Sequence, residues 1–153
     1  MTASNHLLTG AAIAVAVRQP FLAIPLAFVS HFVLDAIPHF GVEEEVEGHN
    51  KSNLFWAIFG LDVLLFIVWL FYMPHLLHSH LARWIIISCM LAAYVPDTVW
   101  LYRFWYAKIT HSYARRGILT RFHKKIQHEY LWGIAVEIVW GSALLGGLIA
   151  FSR

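Results

Sequence analysis

His31, Asp35 and His39 follow one another at intervals of four residues, so on a helix their side chains project from one stripe. Imidazole and carboxylate suit zinc, iron, manganese or nickel, and adjacent members of the stripe can share an ion, as i, i+4 ligands do in zinc helices. All three cannot reach one ion from a straight helix, because the outer two lie about 12 Å apart along its axis. Either Pro38 breaks the helix and lets His39 fold back, or the stripe serves two ions, or one histidine only orients another ligand. Further ligands would come from other segments, where His6, Asp62 and Asp97 are of suitable type. The expected ligands are His6, His31, Asp35, His39 and Asp97. The expected cofactor is a divalent ion, zinc first, with manganese or iron as alternatives.

Each of these residues also has a plainer reading. A histidine in an apolar helix can simply hydrogen-bond to a neighbouring helix. Asp35 could pair with His31 or His39, and Asp97 with Arg103. Asp62 and Glu137 stand in otherwise apolar runs; beside a metal they would be candidates for the catalytic base, and without one they would relay protons or pair helices. His75, His78 and His80 cluster in a short loop and read as a solvated surface. The run Glu43-Glu44-Glu45-Val46-Glu47 lacks the ligand spacing of a calcium loop and reads as solvated too.

The segments that must position these groups are strongly apolar. Of 153 residues, 59% are hydrophobic, 16% aromatic and only 13% charged, with a mean hydropathy of +0.62. An ordinary soluble domain carries about 25% charged residues. This balance excludes a disordered tail and a conventional nucleic-acid-binding domain. Cys89 is the single cysteine, which excludes a disulfide framework. The net charge of +2 is too small to name a partner. The expectation is an all-α, polytopic transmembrane bundle forming one integral membrane domain over residues 1–153. Spans are expected at about 4–17, 21–38, 53–73, 83–102 and 129–151, since a crossing needs about 20 helical residues. Four would be full spans. The first, with Ser4 as N-cap, makes a helix of about 14 residues, or about 21 Å, that spans or re-enters. Ala14-Val15-Ala16 has the form of a signal cleavage site, but the first six residues lack Lys and Arg, so the helix is expected to be retained.

With five crossings, Lys51, Arg103, Lys108, Arg115, Arg116, Arg121, Lys124 and Lys125 fall on one side, and Arg18, Arg83 and Arg153 on the other. The positive-inside rule then places the protein in the cytoplasmic membrane with the N-terminus in and the C-terminus out. In that topology every ionisable group within the spans lies in the cytoplasmic half, Asp62 roughly 13 Å deep. That asymmetry implies one polar cavity open to the cytoplasm. Within the basic segment 103–128, Leu119, Phe122, Ile126 and Tyr130 recur at near-helical spacing with Arg121, Lys124 and Lys125 between them. This is an amphipathic helix for an anionic leaflet. A sharper reading gives Arg103, Arg121 and Lys124 a grip on an anionic substrate. The Gly/Ala/Ser-rich half of the last span is a surface through which the chain could oligomerise.

Asn5-His6-Leu7-Leu8-Thr9-Gly10, the run from Ser30-His31 through Asp35 to Pro38-His39, and Pro96-Asp97 resemble the bacterial membrane-bound metal-dependent hydrolases, small multi-span proteins of the inner membrane. The resemblance covers about the first forty residues and, more weakly, the fourth span. Thr110-His111-Ser112 echoes the family's Thr-His-Ser element, whereas Pro96-Asp97 lacks its Asp-x-Asp-His continuation. The resemblance implies a metal-binding, hydrolase-like protein with His6, His31, Asp35, His39 and Asp97 at the matching positions.

The leading expectation is therefore metal-assisted hydrolysis of a phospho- or acyl ester in a lipid-like molecule at the cytoplasmic interface, with membrane lipids as surroundings and no nucleic-acid partner. The alternatives are a non-catalytic relay or transporter of protons or metal ions, and a structural subunit whose polar residues only pair helices. A path for ions needs polar groups leading to both faces, and here the outer half of every expected span is apolar.

Overall fold

The computed structural model describes residues 1–41, 53–78, 81–110 and 117–153. The acidic run, His80 and the His111-Ser112 part of the Thr-His-Ser echo lie outside them. The fold is helical: α1 (Ala3–Val17), α2 (Pro20–Asp35), α3 (Asn53–Leu76), α4 (Arg83–Tyr94), α5 (Thr98–Thr110), α6 (Ile118–Ile126) and α7 (Ile134–Ser152). Two-residue strands β1 (His39–Phe40) and β2 (Glu129–Tyr130) pair in parallel, His39 opposite Glu129.

Among the described residues, two stretches, Phe55–Leu76 and Leu131–Ser152, are long and apolar enough to cross a membrane, each of 22 residues or about 33 Å of helix. The expectation of four such spans is corrected on two counts. The second segment stops at Asp35 and forms a 16-residue helix, because the residue before a proline is disfavoured in helical conformation and the chain turns ahead of Pro38. The fourth segment is broken: Pro96 has no N–H to continue the ladder, and Val95–Asp97 forms a 3-10 turn between α4 and α5. The basic helix α6 likewise ends at Ile126 and does not run into α7.

The short helix α1 is the centre of the bundle, in contact with α2, α3, α4 and α7. Residues Ser4–Ala11 and Ala14 are all buried, so its length is set by the helices around it. The core combines Leu7, Leu8 and Ala11 of α1 with Ile86, Cys89 and Met90 of α4 and small residues of α2, Ala23 and Ala27. Large apolar side chains are also exposed in stripes. On α2, Leu22, Leu26, Val29 and Val33 share one outward face. On α3, Leu61, Leu64, Val68 and Phe71 do the same. The small-residue half of α7 is turned partly inward. Ala143, Leu144 and Gly147 face Ala12, Val15 and Ala16 across a groove of about 490 Å³.

Gly10 lets α1 and α4 approach closely. A Cβ there would lie 2.5 Å from the Cys89 carbonyl oxygen and 2.8 Å from the Met90 Cα, both backbone atoms that cannot rotate away. Gly10→Ala is therefore expected to lower the melting temperature in detergent, with a loss of about 1–3 kcal/mol for forcing two packed helices apart; an unchanged melt would contradict this packing.

Candidate metal centre

The carboxylate of Asp35, at the last residue of α2, is fully buried. Desolvating an unpaired carboxylate costs several kcal/mol, so such a group must be surrounded by donors or cations. Three neighbouring segments supply them. Along α2, His31 lies one turn back, its Nε2 3.2 Å from Asp35 Oδ2. From α6, His123 Nε2 approaches the same oxygen at 2.5 Å, joined by Gln127 Nε2 at 3.5 Å. From the N-terminal segment, His6 Nε2 is 3.2 Å from Oδ1, and the α-amino group of Met1 donates to Oδ1.

Asp97 completes the cluster from the 3-10 turn. Its Oδ1 is 3.6 Å from His31 Nε2 and its Oδ2 4.0 Å from His6 Nε2, with the side chain 24% exposed. The break that Pro96 makes is what brings this carboxylate inward. The same break leaves the Ala93 carbonyl beside α2, where it accepts a hydrogen bond from His31 Nδ1 at 2.8 Å. With Nδ1 donating to Ala93, His31 turns Nε2 to the cluster, the orientation usual in metal-bound histidines.

His39 enters by the route that a broken helix allows. After Pro38 the chain runs extended, the His39 amide donates to the His128 carbonyl at 3.0 Å, and the His128 amide donates to the Asp35 carbonyl at 3.2 Å. Gly133 accommodates this crossing, since a Cβ at that position would collide with the His39 backbone. His39 Nδ1 donates to the Ile37 carbonyl at 2.8 Å, leaving Nε2 4.0 Å from Asp35 Oδ1. Burial pushes the His39 imidazole below its ordinary pKa, so the ring is held neutral.

One ligand atom from each of His31, Asp35, Asp97 and His123 falls within a single sphere of contacts, all within 4.8 Å of one another. Around a tetrahedral ion with bonds of about 2.0–2.1 Å, neighbouring ligand atoms sit about 3.3 Å apart. The His31 and His123 Nε2 atoms are 3.1 Å apart. Two imidazoles and two carboxylates also match the ligand preferences of zinc, manganese and iron. The residues fit a divalent ion.

All five expected ligands thus gather about Asp35, with His39 the more distant member. His123 is the one candidate ligand not expected from the sequence, because segment 103–128 reads as a basic surface helix. The signal was there: 119, 122, 123 and 126 follow the i, i+3, i+4, i+7 pattern of one helix face, which puts His123 on the apolar side. Phe122 packs its ring against Phe32 of α2 at 5.8 Å, and this contact docks α6.

Asp62 and Glu137, the expected catalytic carboxylates, have other partners. Asp62 accepts the Ala3 and Ser4 amides, each at 2.9 Å. Glu137 accepts the Thr2 amide at 3.0 Å, the Thr2 hydroxyl at 2.6 Å and Asn5 Nδ2 at 2.5 Å. A helix N-terminus leaves amides unsatisfied and carries partial positive charge. The two carboxylates cap α1 from α3 and α7, in place of the Ser4 cap expected from the sequence. Among the expected substrate-binding residues, Arg121 and Lys124 are exposed on α6 and flank His123, while Arg103 is half-buried on α5. His75 and His78 are exposed at the far end of α3, away from the cluster. No protein-family model, curated protein or solved structure matches the chain.

If capping is what these carboxylates do, Asp62→Ala and Glu137→Ala each lower stability by about 1–2 kcal/mol, read as a lower melting temperature. Glu137→Gln, which keeps an acceptor oxygen, should fall less; equal losses for Glu137→Gln and Glu137→Ala would show that the charge, and not the acceptor, is what matters.

Proposed function

We propose that this protein is an integral membrane, metal-dependent hydrolase acting on a phospho- or acyl ester of a lipid-like molecule. The observation that carries the reading is the group of His31, Asp35, Asp97 and His123, the first two buried and the others half-buried, drawn from α2, α6 and the turn that ends α4. Ligands this far apart in sequence and this close in space fit ion binding better than a single helix-pairing contact. A bound divalent ion supplies Lewis-acid polarisation and makes water nucleophilic near neutral pH. The chain's own part is to hold that ion and orient the histidines through the Ala93 and Ile37 carbonyls. Arg121 and Lys124, exposed beside His123, attract an anionic head group to the mouth of the site.

The membrane setting is part of the same proposal. Two helices of spanning length and the apolar outward faces of α2 and α3 support it. The shorter α1 and α2, and α4 with the segment after it, would then cross the bilayer as part of a multi-span bundle, with the polar cluster at its cytoplasmic face. Reporter fusions after Pro38 and at Arg153 are expected on opposite sides, the first cytoplasmic. Finding both on one side would sink the topology.

Elemental analysis of detergent-purified protein tests the centre itself. The parent is expected to carry zinc, manganese or iron and an Asp35→Ala variant of matched purity to carry little. A lipid phosphoesterase or esterase activity should be lost with the metal on chelation and regained on its return. No metal in either protein after incubation with divalent ions would leave proton relay or structural pairing as the role of the cluster.

A further inference from the structure

The group of His31, Asp35, Asp97 and His123 uses one oxygen of each carboxylate. Asp35 turns Oδ2 to His31 and His123, at 3.2 and 2.5 Å. Its other oxygen faces His6 at 3.2 Å and His39 at 4.0 Å. Asp97 divides in the same way, Oδ1 towards His31 at 3.6 Å and Oδ2 towards His6 at 4.0 Å. The His6 and His31 rings are stacked, their centroids 4.1 Å apart and their planes 24° from parallel. Two imidazoles therefore present Nε2 atoms side by side, each to its own oxygen of two shared carboxylates. Hydrolytic centres with two metals hold their ions about 3.5–4 Å apart, close to the offset of these two rings.

We propose that the centre holds two divalent ions bridged by Asp35 and Asp97, the second ion bound by His6 and His39. The proposal rests on the metal-centre reading above and extends it. His6 carries it. Its ring is fully buried; Nδ1 has no hydrogen-bond partner among the described residues, and Nε2 has only its 3.2 Å approach to Asp35 Oδ1. Buried polar atoms in native proteins are nearly always satisfied, and leaving one unmade costs about 1–3 kcal/mol. One ion on the His31 and His123 side leaves His6 Nδ1 unsatisfied and Nε2 with only its approach to Asp35 Oδ1. His39 has its Nδ1 occupied by the Ile37 carbonyl and its ring 1% exposed, which frees Nε2 on the same side as His6. The Met1 α-amino group donates to the same Asp35 Oδ1, a contact that an ion on this side would displace.

Two ions suit a phosphoester, because a metal pair can stabilise both the attacking and the leaving oxygen of an in-line displacement. In that hydrolysis the water oxygen bonds to phosphorus, the P–O bond to the alcohol breaks, and one water proton ends on the alcohol oxygen.

Manganese counts and couples the sites in one experiment. Full-length protein, tagged at its C-terminus because Met1 lies against Asp35, is loaded with Mn²⁺ and freed of unbound ion. The metal content per chain and the electron paramagnetic resonance spectrum are then recorded. The parent is expected to hold about two ions per chain with an exchange-coupled spectrum, as for a carboxylate-bridged pair. His6→Ala and His39→Ala should each fall towards one ion and give the six-line spectrum of an isolated Mn²⁺. One ion in the parent, lost in Asp35→Ala but unchanged in His6→Ala, would overturn the second site and keep the first. Two uncoupled ions would overturn it as well, by placing the second elsewhere. No ion in the parent would remove the metal-centre reading and the pair together. Should the histidine variants fail to elute as folded protein, the parent's spectrum decides alone.

Discussion

A buried carboxylate at the end of α2 is the constraint on which the rest of this structure turns. Asp35 is fully enclosed, and an ion of that size in an apolar bundle is tolerable only when its oxygens are surrounded by donors or cations. One element cannot surround it. The N-terminal segment brings His6 and the Met1 amine, α2 brings His31, and α6 brings His123 and Gln127. Elements widely separated in the chain are thereby held at one end of the bundle. The hydrogen bonds from His128 to the Asp35 carbonyl and from His39 to the His128 carbonyl fasten the connecting segments there too.

The same end holds a second polar knot built on different physics. Helix α1 lies in the middle of the bundle, where water cannot satisfy its first amides. Asp62 and Glu137 reach those amides from α3 and α7 and place negative charge at the positive end of the helix. This capping sets the depth of α1 and hence the height of His6, one turn further along. Two carboxylates that look like spare catalytic groups in the sequence thus position a ring of the candidate centre. Gly141 continues the fit, since a Cβ there would lie 2.5 Å from the Asn5 side-chain oxygen, and Asn5 itself bonds to Glu137.

Interruptions in the helices matter as much as the helices. Without the turn at Pro96, Asp97 would continue an ordinary helix. Without the turn ahead of Pro38, His39 would sit a full two turns from His31. At the end of the helix before the Pro96 turn, the Ala93 carbonyl accepts from His31 of the cluster. The amphipathic helix α6 closes the arrangement by a ring contact, Phe122 on Phe32, while leaving its cations outside.

Composition and periodicity determined that the chain is helical and strongly apolar, because both depend only on local residue type. The four-residue spacing of His31, Asp35 and His39 determined that α2 carries a polar stripe. Asp97 and His6 were legible as ligand types, but nothing in their sequence positions says that they meet. Tertiary structure decided that. It decided that, among the described residues, two helices and not four have spanning length, since hydropathy averaged along the chain does not register a turn at Pro96 or a stop before Pro38. It gave Asp62 and Glu137 to a helix terminus, because an amide in need of a cap is invisible until the helix that owns it is placed. It also brought in His123: a residue on a short helix joins a distant site only when packing fixes which face that helix turns inward.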